Sequence, residues 1–179
     1  MPRYIALLRG INVSGAKKIL MKDLKLLFAK LGFKEVVTYI QSGNVVFTTK
    51  AAPTNSLEEL ISNAIQKGYG YDVPVIVRTR DQIGTILSNN PYQDQELLAA
   101  NKVGYILFKQ TPKKELLDAL EQESFENEEL TIISNCGYLV YHKGAGRAKL
   151  NNNLIERKLK IDATGRNHRT MIKLMELSQ

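Results

Sequence analysis

The chain has 179 residues, of which 44% are hydrophobic and 24% are charged, a balance typical of a globular protein with a substantial core. Its single cysteine, Cys136, cannot form an internal disulfide, which fits a reducing, cytoplasmic location. The first apolar run, Tyr4–Leu8, is too short for a signal peptide or a membrane span. We therefore expect a cytoplasmic protein with no membrane segment, and the disulfide-stabilised secreted class is excluded.

The formal net charge of +7 is distributed unevenly along the chain. Residues 1–80 carry 12 basic and 5 acidic side chains, residues 81–129 carry 4 and 10, and residues 130–179 carry 9 and 3. If the two basic ends meet in the fold, they form a positive face that attracts an anionic partner. The alternative is that these side chains only keep the protein soluble.

The first half of the chain has the pattern of a ferredoxin-like unit. Residues 3–9 predict a strand that is apolar, and therefore covered, on both faces. Residues 21–31 predict a helix with one apolar stripe that ends at Gly32. Residues 34–41 and 45–49 predict a hairpin, because Ser42-Gly43-Asn44 between them is tight-turn chemistry.

A second helix and a fourth strand complete this unit. Ser56 begins a capping-box pattern, which predicts a helix start, and residues 72–79 predict a strand. The order β-α-β-β-α-β is that of the ferredoxin-like fold. Thr79 predicts the cap of a further helix that runs to about Ser88. We therefore assign residues 1–80 to the first unit and 81–100 to a connecting helix and loop.

The second half repeats this order. It contains a predicted strand at 102–109, a helix that begins at Thr111-Pro112, a hairpin formed by 129–134 and 138–142, and helices near 150–159 and 167–177. The last two helices stand where a final strand is expected. The sequence thus predicts an α+β fold of tandem ferredoxin-like (β-α-β-β-α) units with antiparallel sheets and extra C-terminal helices, the second unit being residues 101–179.

Two basic segments rich in glycine and amide side chains are the strongest candidates for a binding function. They are residues 144–153 and 165–170, and each precedes a predicted helix, whose N-terminus favours an anion. The alternative is that Asn151 or Thr164 is simply a helix cap. The loop at residues 10–18 fails as a phosphate-binding P-loop because Ala16 stands where lysine is required.

Other chemistry has less support in the sequence. Residues 42–47 match the third-strand pattern of an RNA-recognition module poorly. The two histidines, His142 and His168, are not at metal-ligand spacing, so we expect no metal. Cys136 falls in the predicted hairpin turn at residues 135–137 and is interpreted as a bystander thiol. The best acid–base candidate is His168, and the alternative is a surface or interface histidine.

Three strings carry a resemblance to a known family. They are Arg-Gly-Ile-Asn-Val at 9–13, Thr-Tyr-Ile-Gln-Ser-Gly-Asn-Val at 38–45, and Arg-Asn-His-Arg-Thr at 166–170. The chain resembles the bacterial domain-of-unknown-function family numbered sixteen ninety-seven from Tyr4 to about Leu177. The resemblance implies tandem ferredoxin-like folds and brings no activity, cofactor or catalytic residue with it. His168 stands where the family typically has tryptophan, and Ala148 where it often has serine.

The polar residues of these strings are our candidate anion-binding residues: Arg9, Asn12, Gln41, Ser42, Asn44, Arg166, Asn167, Arg169 and Thr170. We expect a nucleotide, a phosphorylated metabolite or a nucleic-acid backbone to bind in a basic cleft. One alternative is an enzyme that uses the same cleft with His168 as acid or base. Another is a protein-interaction module whose motif residues only join the two units. The sequence names no cofactor and leaves the oligomeric state open.

Overall fold

A computed structural model describes residues Met1–Gln179, which divide into two units. The first unit contains Met1–Gly84 together with the C-terminal Lys173–Gln179, and the second contains Thr85–Ile172. The predicted division assigned residues 81–100 to a connection and the whole C-terminus to the second unit. None of the helices is both long enough and apolar enough to cross a membrane.

The first unit is built on a four-stranded antiparallel sheet in the order β2-β3-β1-β4. Along the chain the elements are β1 (Arg3–Leu8), α1 (Met21–Lys30), β2 (Lys34–Tyr39), β3 (Asn44–Thr48), α2 (Thr54–Tyr69), β4 (Val75–Thr79) and α3 (Arg80–Ser88). The side chains of Leu24 and Phe28 in α1 and Ile61 in α2 pack against one face of the sheet. Residues on both faces of β1 are buried, as the sequence predicted.

The second unit repeats this arrangement, with the sheet order β6-β7-β5-β8. Its elements are α4 (Gln95–Ala99), β5 (Val103–Phe108), α5 (Lys114–Glu121), β6 (Glu128–Ile133), β7 (Cys136–Tyr141), a 3-10 turn (Ala145–Arg147), α6 (Asn152–Leu159), β8 (Ala163–Asn167) and the first part of α7 (His168–Leu177), whose residues from Lys173 onward belong to the first unit. Ile106, Leu139 and Ile155 lie in the core between this sheet and its helices. The α+β class and the duplication are therefore confirmed.

The fourth strand of the second unit, β8, corrects the expectation that helices replace it. Its sequence, Ala-Thr-Gly-Arg-Asn, contains glycine and asparagine, which are depleted in strands, so no strand pattern is visible. It forms as an edge strand that pairs only with β5. Because α7 follows β8 as α3 follows β4, α7 is part of the repeat rather than an addition to it.

Of the helix starts predicted from capping patterns at Ser56, Thr79 and Thr111, two are wrong. At Thr79 the cap is confirmed: Gln82 N donates to Thr79 Oγ1 over 3.2 Å, and Thr79 N donates to Gln82 Oε1 over 2.9 Å. In contrast, α2 begins at Thr54, before Ser56. Likewise α5 begins at Lys114, and the Thr111 hydroxyl donates to Asn135 Oδ1 over 3.0 Å instead of capping the helix.

Cys136 lies in a strand rather than in the predicted turn. It is the buried first residue of β7, and the turn before it contains only Ser134 and Asn135. Ser134 has a φ of +52°, which allows this two-residue connection to close. The thiol is therefore enclosed by the core, and the turn lies one residue earlier than the sequence indicated.

Candidate functional site

Asn12 joins the first loop to the first hairpin. Its Nδ2 donates to the carbonyl oxygens of Ile19 and Gln41, each over 2.9 Å. Its Oδ1 accepts from Ile19 N over 2.9 Å. This predicted anion-binding residue therefore uses its amide to hold two backbone segments together.

Asn44 stabilises the first hairpin in a similar way. Its side chain is fully buried, and Nδ2 donates to Tyr39 O and to Ser42 Oγ, each over 3.0 Å. The neighbouring Gly43 carbonyl accepts from Leu8 N over 2.8 Å, which ties the turn to β1. The side chains of Ser42 and Asn44 thus bond to each other, and together with the bond to Tyr39 O they stabilise the turn.

Arg9 and Gln41 complete the predicted group in the first unit. Arg9 directly follows β1, is half-buried, and donates from its backbone N to Pro74 O over 2.9 Å. Gln41 is exposed in the turn, and its carbonyl accepts from Asn12. The structure therefore brings the predicted residues of the first unit to one end of its sheet.

The predicted residues of the second unit lie at the junction of β8 and α7. Arg166 Nη1 donates to Thr164 Oγ1 over 2.8 Å and to Gly165 O over 2.7 Å. Asn167 Oδ1 accepts from the backbone N of the buried Thr170 over 2.9 Å, which caps α7. Arg169 Nη2 donates to Ala99 O over 3.0 Å.

His168, the acid–base candidate, is held by a buried tyrosine. Its Nδ1 lies 2.8 Å from the hydroxyl of Tyr105, and the two rings stack with centroids 5.9 Å apart. Asn90 Nδ2 donates to the same hydroxyl over 3.1 Å. Desolvation by burial lowers the pKa of His168 and raises the pKa of Tyr105. Both groups are therefore uncharged near neutral pH.

A cavity of about 270 Å³ in the second unit is the main concave feature associated with the predicted residues. It is lined by parts of both basic, amide-rich segments, together with Asn101 and Tyr141. The lining includes Ala145, Asn151 and Asn152 from residues 144–153 and Gly165, Arg166 and Asn167 from residues 165–170. The structure thus brings together at one cavity the two segments that the sequence singled out separately. We call it the amide cavity.

Arg166 contributes to the amide cavity differently from the sequence expectation. In the antiparallel pairing, Arg166 lies opposite Tyr105, whereas Gly165 lies opposite Ile106. Paired residues project to the same face of a sheet, so the Arg166 side chain shares the face of Tyr105. The cavity is on the other face, where Ile106 packs with the helices. The backbone of Arg166, rather than its guanidinium, therefore forms the cavity wall.

Two glycines explain why the amide cavity exists. Gly104 pairs with Asn167 in the second unit, and Tyr4 pairs with Thr79 in the first, so Gly104 occupies the position that corresponds to Tyr4. By the same register, Gly165 occupies the position that corresponds to Val77. The Tyr4 hydroxyl occupies the space in the first unit, where it donates to Ala52 O over 3.0 Å and accepts from Ala52 N over 3.1 Å. In the second unit the Tyr141 ring lies across Gly104 instead, and the missing side chain at Gly165 leaves the remaining space open.

Asn152, at the first position of α6, has an acceptor that is not satisfied by the protein. Its Nδ2 donates to Ala163 O over 3.0 Å, but its buried Oδ1 has no hydrogen-bond partner. This oxygen lies 3.8 Å from the position that a Cβ on Gly165 would occupy. Leaving such an acceptor unpaired costs about 1–3 kcal/mol, which a donor on a bound molecule would recover.

Three lining residues of the amide cavity were not predicted from the sequence to belong to a site: Asn101, Gly104 and Tyr141. Gly104 carried the one usable signal, because a glycine inside a predicted strand often marks a close approach of another group. Here the Tyr141 ring lies across it, 2.8 Å from the position of a Cβ. Burial, reinforced by the charge of Glu128, raises the pKa of Tyr141 to about 12, so its hydroxyl is protonated at neutral pH.

Comparison with known proteins places the chain among its relatives. The model of a family described as protein of unknown function (DUF1697) matches residues 1–138. The chain belongs to this family. A solved structure of a conserved bacterial protein from Streptococcus pneumoniae is similar, with a TM-score of 0.75 and 21% sequence identity over 99% of each chain, which shows the fold alone. No curated protein matches the chain.

The match to DUF1697 covers only part of the amide cavity. Asn101 and Gly104 lie inside the matched residues, whereas Asn152 and Gly165 lie beyond residue 138. The string at residues 166–170 also lies beyond it. No three or more His, Cys, Asp or Glu side chains are grouped so that they could hold a metal ion.

Proposed function

We propose that the protein binds a small anionic ligand, a phosphorylated metabolite or a mononucleotide, in the amide cavity. The observation that carries the proposal is that both basic, amide-rich segments line this one cavity. The functional residues we assign are therefore Asn101, Asn151, Asn152 and Asn167, with the backbone at Gly165 and Arg166.

The start of α6 provides the electrostatic attraction. Peptide dipoles give the N-terminus of a helix a partial positive charge, and anions are stabilised there. Asn151 caps this helix, since its Oδ1 accepts from Leu154 N over 3.0 Å. Arg147 and Lys149 lie in the segment that leads into the helix and add net positive charge beside it. An anionic group placed at this end of the cavity would accept charge-assisted hydrogen bonds.

The size of the cavity favours a small ligand over nucleic acid. Drug-sized ligands occupy pockets of about 300–1,000 Å³, and this cavity is slightly smaller, at about 270 Å³. A nucleic-acid backbone would need a continuous groove. The unpaired Oδ1 of Asn152 can also accept a hydrogen bond from an N–H or O–H group of the ligand. A molecule with both an anionic group and a hydroxyl or amine, such as a sugar phosphate, meets both requirements.

Thermal unfolding at low salt tests the proposal, with inorganic phosphate, a sugar phosphate and a mononucleotide as ligands. A ligand that binds only the folded state raises the melting temperature with its concentration. We expect such a rise with at least one of the phosphate esters. If all three leave the melting temperature unchanged, the proposal is wrong.

The variant Asn151→Asp locates the binding site. Aspartate caps helices as well as asparagine does, so α6 is preserved, but the added negative charge repels an anion in the cavity. We expect affinity to fall by about tenfold or more, in line with a close like-charge contact. Asn63→Asp is the matched control, because Asn63 is exposed on α2 in the first unit. Equal affinities for the two variants would place the ligand elsewhere.

A further inference from the structure

Two of the four sheet edges in the protein are covered by side chains of neighbouring helices. At β4, Glu58 Oε1 accepts from Val77 N over 2.9 Å. At β8, Glu156 Oε1 accepts from Ala163 N over 3.0 Å, and Asn152 donates to the carbonyl of the same residue. Such contacts remove backbone groups to which another strand could bind.

The third edge, β2, is irregular. Its pairing with β3 shifts between Lys34 and Val37, and Glu35 has a φ of +50°. Arg3 Nη2 donates to Glu35 Oε2 over 2.9 Å across this distortion. Bulges and charges of this kind prevent a further strand from pairing.

The fourth edge, β6, has no bulge, and no helix side chain bonds to its backbone. All six of its residues pair with β7 in unbroken register. His142 N donates to Asn127 O over 3.0 Å at the end of this ladder. Because hydrogen-bonded and non-bonded pairs alternate in antiparallel strands, Glu128, Leu130 and Ile132 direct their backbone N–H and C=O groups away from β7. This edge can therefore accept another strand.

An acidic groove of about 580 Å³ runs along the same strand. Leu120, Phe125, Leu130 and Ile132 give it an apolar floor. The carboxylates that line it are Glu121, Glu123, Glu128 and Glu129. Lys158 pairs with Glu123, and His142 pairs with Glu129. Glu121 and Glu128 are therefore the groups that we assign to incoming cations.

We infer that β6 binds an extended basic peptide segment of a partner protein as an added strand. The outward backbone groups of Glu128, Leu130 and Ile132 would form the ladder. Lysine or arginine side chains of the peptide would face Glu121 and Glu128, and its apolar side chains would cover Leu130 and Ile132. A basic occupant is favoured because residues 81–129 carry 10 acidic and only 4 basic side chains. The groove along β6 and the amide cavity have no lining residue in common.

The test uses the full chain and a labelled synthetic peptide of about ten residues, long enough to cover the strand. Along one face of the extended peptide, lysines at one end are followed by valines at the other, and threonines occupy the opposite face. Fluorescence anisotropy measures binding, and hydrogen exchange measures protection of the Leu130 and Ile132 amides. We expect binding that weakens with added salt, together with increased protection of both amides. Absence of binding overturns the inference.

A second peptide separates strand addition from simple charge attraction. It has the same sequence but carries N-methyl groups on alternate amides, so it keeps its charge and cannot complete the ladder. We expect its affinity to be lower by about tenfold or more, because several backbone hydrogen bonds are lost. Equal affinity of the two peptides overturns the inference.

Substitutions in the protein test the charge contacts. The double variant Glu121→Gln with Glu128→Gln should bind the first peptide about two- to tenfold more weakly, as expected for the loss of two exposed ion pairs. The matched control is Glu59→Gln with Glu96→Gln, which removes two exposed carboxylates outside the groove. Equal weakening in both double variants contradicts a docking site on β6.

Discussion

Asparagine side chains in this protein have two different roles, bonding to the backbone or lining a cavity, which the sequence alone does not distinguish. Asn12, Asn44 and Asn167 were all predicted to bind an anion, yet each bonds backbone groups of its own unit. Asn152, by contrast, retains an unpaired acceptor beside a cavity. A sequence cannot separate these cases, because the partner of a side-chain amide is decided by distant segments.

Asn12→Ala tests the structural role of the first motif. The variant loses three hydrogen bonds and leaves Ile19 with unpaired backbone groups, so we expect a loss of about 2–4 kcal/mol in the free energy of unfolding. Ser14→Ala is the matched control, because Ser14 also has a positive φ, +51°, but is exposed. Urea unfolding of both variants gives the comparison. A loss for Asn12→Ala no larger than that of the control would contradict this role.

At the scale of helices and strands, the sequence was informative where local chemistry decides the structure. The cap at Thr79 was predicted correctly because both partners, Thr79 and Gln82, lie three residues apart. The short helix α4, which is capped by Asp94, was missed because only five residues form it. β8 was missed because its pairing with β5, more than fifty residues away, stabilises a sequence with little strand propensity of its own.

Gly43→Ala tests how tightly the first hairpin packs on β1. Gly43 has a φ of +81°, and an added Cβ would lie 2.7 Å from Leu8 Cβ and 2.9 Å from Ile11 Cδ1. We expect this variant to lose about 3 kcal/mol or more, because both the backbone and the packing are strained. Gly15→Ala, with a φ of +77° and open space around the glycine, should lose only about 1 kcal/mol. Similar melting temperatures for the two variants would refute this packing.

For the whole molecule, duplication produced two units of the same fold with one important difference. Val77 fills the first unit at the position where Gly165 leaves the second unit open, and Tyr4 corresponds to Gly104, across which the Tyr141 ring lies. The sequence predicted the duplication, because the order of elements repeats. It could not predict the cavity, because the correspondence of these positions depends on strand register in β8, which was not recognised.

The most direct test of the proposed site is calorimetric titration of Gly165→Val with the phosphate ester that stabilises the unaltered protein. The first unit has a valine, Val77, at the position that corresponds to Gly165. A Cβ on Gly165 would make only ordinary contacts of 3.7–3.9 Å, so the variant should fold. Gly68→Ala, in α2 of the first unit, is the control. We predict that Gly165→Val unfolds cooperatively but no longer binds the ester, whereas the control binds it as the unaltered protein does. Unchanged affinity in a folded Gly165→Val variant would show that the amide cavity is not the binding site.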